Sequence, residues 1–356
     1  LVCWARGGRI GLETAGLTCV GFCEFDKFAV ASYTSMHLIT DEQRERLSQI
    51  DKKKRPKEIL KEEYRNGEWY RSDIREVKGE EVPRADVWLF GSPCVDFSIA
   101  GNRAGLGGDK SSLIREIFRL LREVGEENRP EWLIYENVKG MFSSNKGFDY
   151  LTILLEMESF GYDIGWQLFN SQYFGVPQHR ERVYTVGHLR ARGFRKILPV
   201  EGADCENRVG VIGHRNGYRR NTQVFDPERL TEALDTAQGG GRGHYTVEII
   251  GTCNPDRHSQ MNVYGIDGVV PTLDTMHEPK RIAVTVHEDG TLLYKGIPAR
   301  VRKLTPKECF RLQGWNDDYY EKAAFVNSDS QLYKQAGNGM TATVVEAIGR
   351  KIIECQ

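Results

Sequence analysis

One cysteine, one glutamate and a pair of arginines are the side chains whose placement in this sequence points to chemistry. Cys94 closes Gly91-Ser92-Pro93-Cys94, directly after the uncharged run Val87–Phe90. A thiol at the carboxyl end of a parallel strand stands where open α/β sheets bind their ligands, and Pro93 stiffens its approach. Glycines 101, 105, 107 and 108 follow in a loop able to close over a substrate. The plain alternative is that Cys94 is a small buried hydrophobe. Glu136 follows a second such run, Trp132–Tyr135. Partial desolvation there raises the pKa of a carboxylate and lets it donate a proton near neutrality; the alternative is a capping or surface acid. Arg180 and Arg182, within Gln178-His179-Arg180-Glu181-Arg182, lead into a third run, Val183–Gly187. Guanidinium groups entering a buried strand need an anionic or acceptor partner, and surface salt bridges explain one of them better than both.

These residues need elements to hold them. The runs Cys19–Cys23, Val87–Phe90, Trp132–Tyr135 and Val183–Gly187 are short, β-rich and nearly uncharged, as strands buried on both faces are. Between them, Ser112–Val124 carries apolar residues at 113, 114, 117, 120, 121 and 124, a helical stripe, and Phe148–Phe160 reads the same way. The alternation predicts an α/β fold, a doubly wound Rossmann-like sheet with ligands at the carboxyl ends of its strands. Residues 189–300 differ: helical stripes vanish, and five of the eight histidines lie there. An internal repeat at an offset of 39 residues pairs Val224-Phe225…Leu234-Asp235-Thr236 with Val263-Tyr264…Leu273-Asp274-Thr275. The expected organisation is a catalytic domain over 1–188 and 301–356, interrupted by a small β-rich lobe over 189–300. Residues 41–65, dense in both charges, read as a solvated helical insertion, with DNA contact by Lys52–Arg55 as the alternative.

Composition narrows the class. Lys and Arg total 49 against 50 Asp and Glu, which excludes a strongly basic coat but not a local basic face. Residues 190–220 hold eight Lys/Arg against three Asp/Glu, enough for a phosphate-facing patch. No apolar stretch reaches 18 residues, and no basic-then-apolar leader is visible, so no membrane association and a cytoplasmic location are expected. The eight cysteines show no C-x-x-C spacing and no histidine clustering; they read as reduced thiols, with no metal expected.

Pro93-Cys94, Glu136-Asn137-Val138, Gln178-x-Arg180-x-Arg182, the block Arg302–Trp315 and Gln335–Met340 occur in the order of the DNA (cytosine-5)-methyltransferase family, which the chain resembles over nearly its whole length. The resemblance implies a Rossmann-like methyltransferase sheet, S-adenosylmethionine as cofactor, double-stranded DNA as partner and an inserted target recognition lobe. It implies that Cys94 adds to C6 of a cytosine, since C5 alone is a poor nucleophile, and that Glu136 bonds or protonates N3 and the exocyclic amine. Arg182, with Arg180 close by, would anchor the base O2 and the surroundings of the nucleophile. Positive neighbours must then favour the thiolate, and the target base must be flipped from the duplex at a cost of about a few kcal/mol. For the cofactor, the resemblance points to Gly7 and Gly8, Glu24 on the ribose, Phe25 on the adenine, Asp73, Ile74 and Leu113 at the adenine edge, Pro93, and Asn338 on the methionine side. On DNA it places Gln178, Thr272 and Leu273, while Arg242 stands in the glycine-rich stretch 239–244, where backbone can approach a duplex or form a plain surface loop. A monomer of bacterial or phage type is implied, with a cognate restriction endonuclease as a conceivable partner.

The start departs from the family pattern, roughly D-L-F-A-G-x-G-G-x-R-x-G-L-E. Here Ala5 and Arg6 stand in the glycine turn, where a charged side chain should crowd the cofactor, and the first strand is expected to be damaged. A nucleotide string encoding D-L-F-A-G-L-G-G gives L-V-C-W-A-R-G when read two bases later, so a one-base slip is an expectation that the gene's codons test. Two other readings stay open: a catalytically silent DNA-binding relic, on account of that start, and a tRNA cytosine-5 methyltransferase, against which the long lobe speaks.

Overall fold

In the computed structural model, residues 7–91, 113–202 and 304–355 are described in full, and strands at 2–3, 211–214, 223–225, 231–232, 245–249, 284–286, 292–294 and 297–303 by their backbone. Seven strands form the central sheet: β1 (Val2–Cys3), β2 (Gly21–Cys23), β3 (Trp69–Arg71), β4 (Val87–Gly91), β5 (Trp132–Val138), β6 (Tyr162–Asn170) and β8 (Glu181–Leu189). The order is β3-β2-β1-β4-β5-β8-β6. It reverses between β1 and β4, the switch point at which such sheets take ligands. β1 pairs in parallel with both β2 and β4, so the first strand stands in its place at the centre of the sheet. The expectation of a damaged strand is corrected to that extent; Trp4–Arg6 lie outside the described residues.

Helices cover both faces because the strands are apolar on both. On one face α5 (Leu113–Glu123) and α6 (Phe148–Ser159) pack on Trp88, Phe90, Leu133 and Tyr135. On the other, α1 (Gly8–Thr14) and α10 (Ala342–Glu354) pack on Val87, Leu89, Trp132 and Ile134. A third layer joins α2 (Lys27–His37) to α7 (Pro306–Leu312), α8 (Asp317–Val326) and α9 (Asp329–Asn338). Ser35 Oγ donates to Lys322 O at 2.6 Å, and Asn327 Nδ2 donates to Phe28 O at 2.7 Å.

Two elements differ from the sequence reading. β5 continues through Glu136 to Val138, so Glu136 lies inside the strand rather than after it. Polar residues are tolerated there because each is answered: Asn137 Nδ2 donates to Tyr135 Oη at 2.8 Å, and Arg182 answers Glu136. β8 runs antiparallel to β5 and β6, the one reversed strand among those of the central sheet. Reversal brings its first residues to the carboxyl end of β5, with Val138 opposite Arg182.

Residues 41–65 form α3 (Asp41–Ser48) and α4 (Arg55–Glu58), and Leu47, Ile59 and Tyr64 bury a small core with Ala31 and Val326. The insertion is thus packed as well as solvated. The Arg55 guanidinium lies over the Phe325 ring at 4.3 Å and donates to the carbonyls of Ile50 and Ser48, so structure occupies it rather than DNA.

A second sheet of six strands has the order β13-β14-β15-β12-β10-β9, from β9 (Val211–His214), β10 (Gln223–Phe225), β12 (Tyr245–Ile249), β13 (Val284–Val286), β14 (Leu292–Tyr294) and β15 (Ile297–Lys303). A separate two-stranded sheet pairs β11 (Thr231–Glu232) in parallel with β7 (Gln178–His179). The second copy of the internal repeat lies outside the described residues.

Candidate active site

The carboxyl ends of β4 and β5 bring Gly91 and Glu136 into register. A Cβ at Gly91 would stand 3.3 Å from Glu136 Oε2 and 3.2 Å from its carbonyl oxygen, so glycine leaves the carboxylate room. Arg182 Nε lies 3.1 Å from Glu136 Oε1, both side chains being about four-fifths buried or more. An ion pair so shielded is far stronger than one at the surface. Tyr184, opposite Glu136 and buried, has its pKa pushed up by burial first and then by the Glu136 charge, so its hydroxyl stays protonated. Pro93 and Cys94 lie outside the described residues; Cys94 is three positions from Gly91 in sequence.

Arg180 and Arg182 part company. Arg180 is 2% exposed, and its Nη2 donates to Gly339 O at 2.9 Å and Gly337 O at 3.3 Å. It grips the Gly337 and Gly339 backbone, whereas Arg182 holds the Glu136 carboxylate. The Gln178 side chain is fully buried and donates to Leu312 O at 2.6 Å. Arg242, Thr272 and Leu273 lie outside the described residues.

Around the switch point, Gly7 caps α1 in the left-handed region with φ 86°, and Gly8 opens the helix. A Cβ at Gly7 would stand 2.3 Å from Met340 O and 2.5 Å from Trp315 Nε1, so no other residue fits. Gly7 and Gly8 are buried at this N-terminus, the end of a helix at which backbone amides can meet an anionic group. Glu24 follows β2, with Oε1 accepting from the Asp26 amide at 2.8 Å, and Phe25 is 75% exposed, an aromatic face turned to solvent. Asp73 caps a short turn and holds Arg75 in a bidentate pair, which keeps its carboxyl below the usual range. Ile74 is buried in the core beneath, and Leu113 is half-buried against the same core. Asn338 is exposed at the end of α9, between the buried Gly337 and Gly339. The glycine cradle, the helix N-terminus, the acid after β2 and the open aromatic fit an adenosyl cofactor with a charged amino-acid tail.

Behind α1 lies a polar cluster that no motif announces. Arg9 Nη1 donates to Tyr33 Oη at 2.7 Å and Glu68 Oε2 at 2.7 Å, while its Nε donates to Glu13 Oε1 at 2.8 Å. His37 Nδ1 lies 3.9 Å from Glu13 Oε2. Burial, then Arg9 and Lys322, hold His37 well below its ordinary pKa, so it is neutral.

Two members of the basic run starting at 190 are engaged by the fold, while Arg192 and Lys196 are exposed. Because β8 is reversed, Leu189 pairs with Tyr162 at the amino end of β6, opposite the catalytic edge. Arg190 is spent on Asp163 at 2.7 Å, and Arg195 donates to the Cys355 carbonyl. Arg208, Arg215, Arg219 and Arg220 lie outside the described residues.

Comparison with known proteins gives the geometry a context. The sequence profile described as C-5 cytosine-specific DNA methylase matches residues 45–354. The chain is 26% identical to "Orphan methyltransferase M.SPRI" of Bacillus phage SPR over 440 residues, covering 95% of this chain and 92% of that protein. It is 30% identical to "Type II methyltransferase M.Bsp6I" of Bacillus sp. (strain RFL6) over 290 residues, covering 79% and 82%. Among solved structures, the Entamoeba histolytica methyltransferase EhMeth superposes with a TM-score of 0.60 at 12% identity, covering 99% of this chain and 97% of that one. The S. pombe Dnmt2 methyltransferase gives 0.57 at 14%, with the same coverage. These two likenesses concern the fold.

Proposed function

The chain belongs to the C-5 cytosine-specific DNA methylase family, an S-adenosylmethionine-dependent enzyme family acting on C5 of cytosine in duplex DNA by base flipping, and on that premise we propose how its own residues divide the work. The observation that carries the reading is the Glu136–Arg182 pair, 3.1 Å apart beside Gly91 and at the start of the segment that leads to Cys94. Glu136 meets N3 and the exocyclic amine of the flipped cytosine, and Arg182 meets O2 while fixing the carboxylate. The Cys94 thiolate adds to C6, which raises electron density at C5. When bound, S-adenosylmethionine would supply the methyl group that bonds to C5, its S–CH3 bond breaking to leave S-adenosylhomocysteine. Loss of the C5 proton then lets the C6–S bond break, and Cys94 is regenerated.

Gly7, Gly8, Glu24, Phe25, Asp73, Ile74, Pro93, Leu113 and Asn338 would hold the cofactor. Asp73 reaches it only by sharing or leaving Arg75, so its part there is the least direct. Arg180 holds the Gly337–Gly339 backbone rather than touching the base. The six-stranded sheet is the reading for target recognition, with Arg242, Thr272 and Leu273 as DNA contacts. Phage orphan and type II relatives support a bacterial or phage-borne enzyme, with or without a cognate endonuclease, which we read as a monomer working on DNA in the cytoplasm. Among the described residues no helix is long and apolar enough to cross a membrane.

The test is transfer of labelled methyl groups to mixed-sequence DNA, with bisulfite mapping and tRNA as a parallel substrate. Wild type should modify cytosine in one short DNA sequence. Cys94→Ala should abolish transfer, and Arg182→Ala should slow it about 100-fold or more while cofactor binding persists. Transfer surviving Cys94→Ala, or directed to tRNA alone, overturns the reading.

A further inference from the structure

The segment Ala336–Thr341 is held more thoroughly than its packing requires. Four of its carbonyls each receive a side-chain donor from another part of the fold. Ala336 O accepts from Gln313 Nε2 at 2.6 Å, Gly337 O and Gly339 O accept from Arg180, and Met340 O accepts from Trp315 Nε1 at 3.2 Å. Between these anchors only Asn338 is exposed. The same backbone abuts the position-7 glycine, so any shift of it would be felt at the N-terminus of α1.

Gln313 is the node of this arrangement. It is fully buried, and it bonds both ends of the segment: Ala336 through its amide nitrogen, and Thr341 through Oε1, which accepts from Thr341 Oγ1 at 2.9 Å. Its own carbonyl accepts from the Ala342 amide at 2.9 Å. The donor directions are fixed. Ala336 O can only accept, so the amide nitrogen must face it and the amide oxygen must face Thr341. The Thr341 proton is thereby committed, and Ser171 Oγ, 2.9 Å away, donates to Thr341. Ser171 N in turn donates to Arg180 O at 3.0 Å, which closes the circuit onto the arginine that grips Gly337 and Gly339. A buried circuit of this kind favours one arrangement of the backbone it holds.

We infer that Gln313 is a positioning residue for the cofactor, clamping the two ends of the Ala336–Thr341 segment so that Asn338 is presented at the methionine side of the site. The inference rests on the reading of Asn338 as a cofactor contact. Gln313 itself does not touch substrate or cofactor; it acts through Ala336, Thr341 and the backbone between them. Its loss should therefore be felt in cofactor affinity, ahead of turnover and of DNA binding.

The experiment measures binding of labelled S-adenosylmethionine by equilibrium dialysis, with kcat, KM for DNA and melting of the cofactor-free protein, for wild type and three variants. Gln313→Met and Thr341→Val, close in shape but lacking the bonds, should weaken cofactor binding about 5- to 20-fold, the range expected of a buried hydrogen bond. At saturating cofactor, kcat should stay within about twofold of wild type, and KM for DNA should not move. Thr341→Ser, which keeps the hydroxyl, should restore affinity to within about twofold. Equal affinity in Thr341→Val and wild type overturns the inference, as does a Thr341→Ser protein as weak as Thr341→Val, or a fall in kcat with affinity unchanged. If Gln313→Met does not fold, the two Thr341 variants decide. Wild type that binds no S-adenosylmethionine would count against the cofactor reading itself, whereas wild type that binds beside variants that bind equally well sinks only the role of Gln313.

Discussion

His37 shows how a single side chain in this protein reports on its surroundings. It sits against Glu13, Tyr33 and Tyr319, with Arg9 and Lys322 contributing positive charge, and it is held neutral well below the ordinary value of 6.5. The folded state therefore refuses a proton that the unfolded state accepts. Stability from this residue is complete above about pH 6.5 and falls as the pH drops below it, by up to about 1.4 kcal/mol per pH unit. Glu13 works in the opposite sense lower down, because burial raises its carboxyl pKa and the folded state takes up that proton. Comparing wild type with His37→Phe isolates the histidine, since both keep Glu13. Denaturant midpoints measured between about pH 6.5 and 5.5 should fall for wild type and stay nearly level for His37→Phe. Parallel slopes would remove the idea. Glu136 and Arg182 were readable as single residues because each follows or precedes a buried apolar run. The division between Arg180 and Arg182 was not readable, since two arginines with one residue between them look alike until each partner is seen.

At the scale of elements, the turn from β1 into α1 is the most constrained junction in the fold. Gly7 has φ 86°, and its missing Cβ is the space taken by Met340 O and Trp315. Gly7→Ala adds left-handed strain of about 1–2 kcal/mol and a clash with backbone, and should raise the dissociation constant for S-adenosylmethionine at least tenfold, or about 1.4 kcal/mol. Isothermal titration would show it; unchanged affinity would mean that α1 does not form the cofactor cradle. The strands at 87–90 and 132–135 and the helices near 113–123 and 148–159 were legible because period and burial agree there. The continuation of β5 through Glu136-Asn137 was not, because polar residues break the apolar run and their partners, Arg182 and Tyr135, sit elsewhere. The sense of β8 was hidden as well, since an apolar run reads the same in either direction. The burial of Gln178 was likewise hidden, because its acceptor, Leu312 O, lies 134 residues further on.

Over the whole molecule, the near-balance of charge is compatible with DNA without marking where DNA lies. The basic residues just after β8 illustrate why: density along the chain does not say at which end of a sheet the chain emerges. Distant parts of the chain meet more informatively at α1 and α10. A Cβ on Gly11 would stand 2.4 Å from Ala342 O, and one on Gly349 would stand 2.8 Å from Ala15 Cβ, so the two helices touch with little between them. A consequence concerns timing during synthesis. The ribosome delivers the glycine turn at residue 7 some three hundred residues before the segment at 336–342 that completes its wall. On the proposed reading of that turn, the emerging chain until then has only one half of a cofactor cradle. Residues 1–202 produced alone should leave S-adenosylmethionine unbound, while the same fragment mixed with residues 304–356 should recover binding if the halves can find each other. A nascent chain would thus be kept from engaging its methyl donor until its last helix has docked against its first.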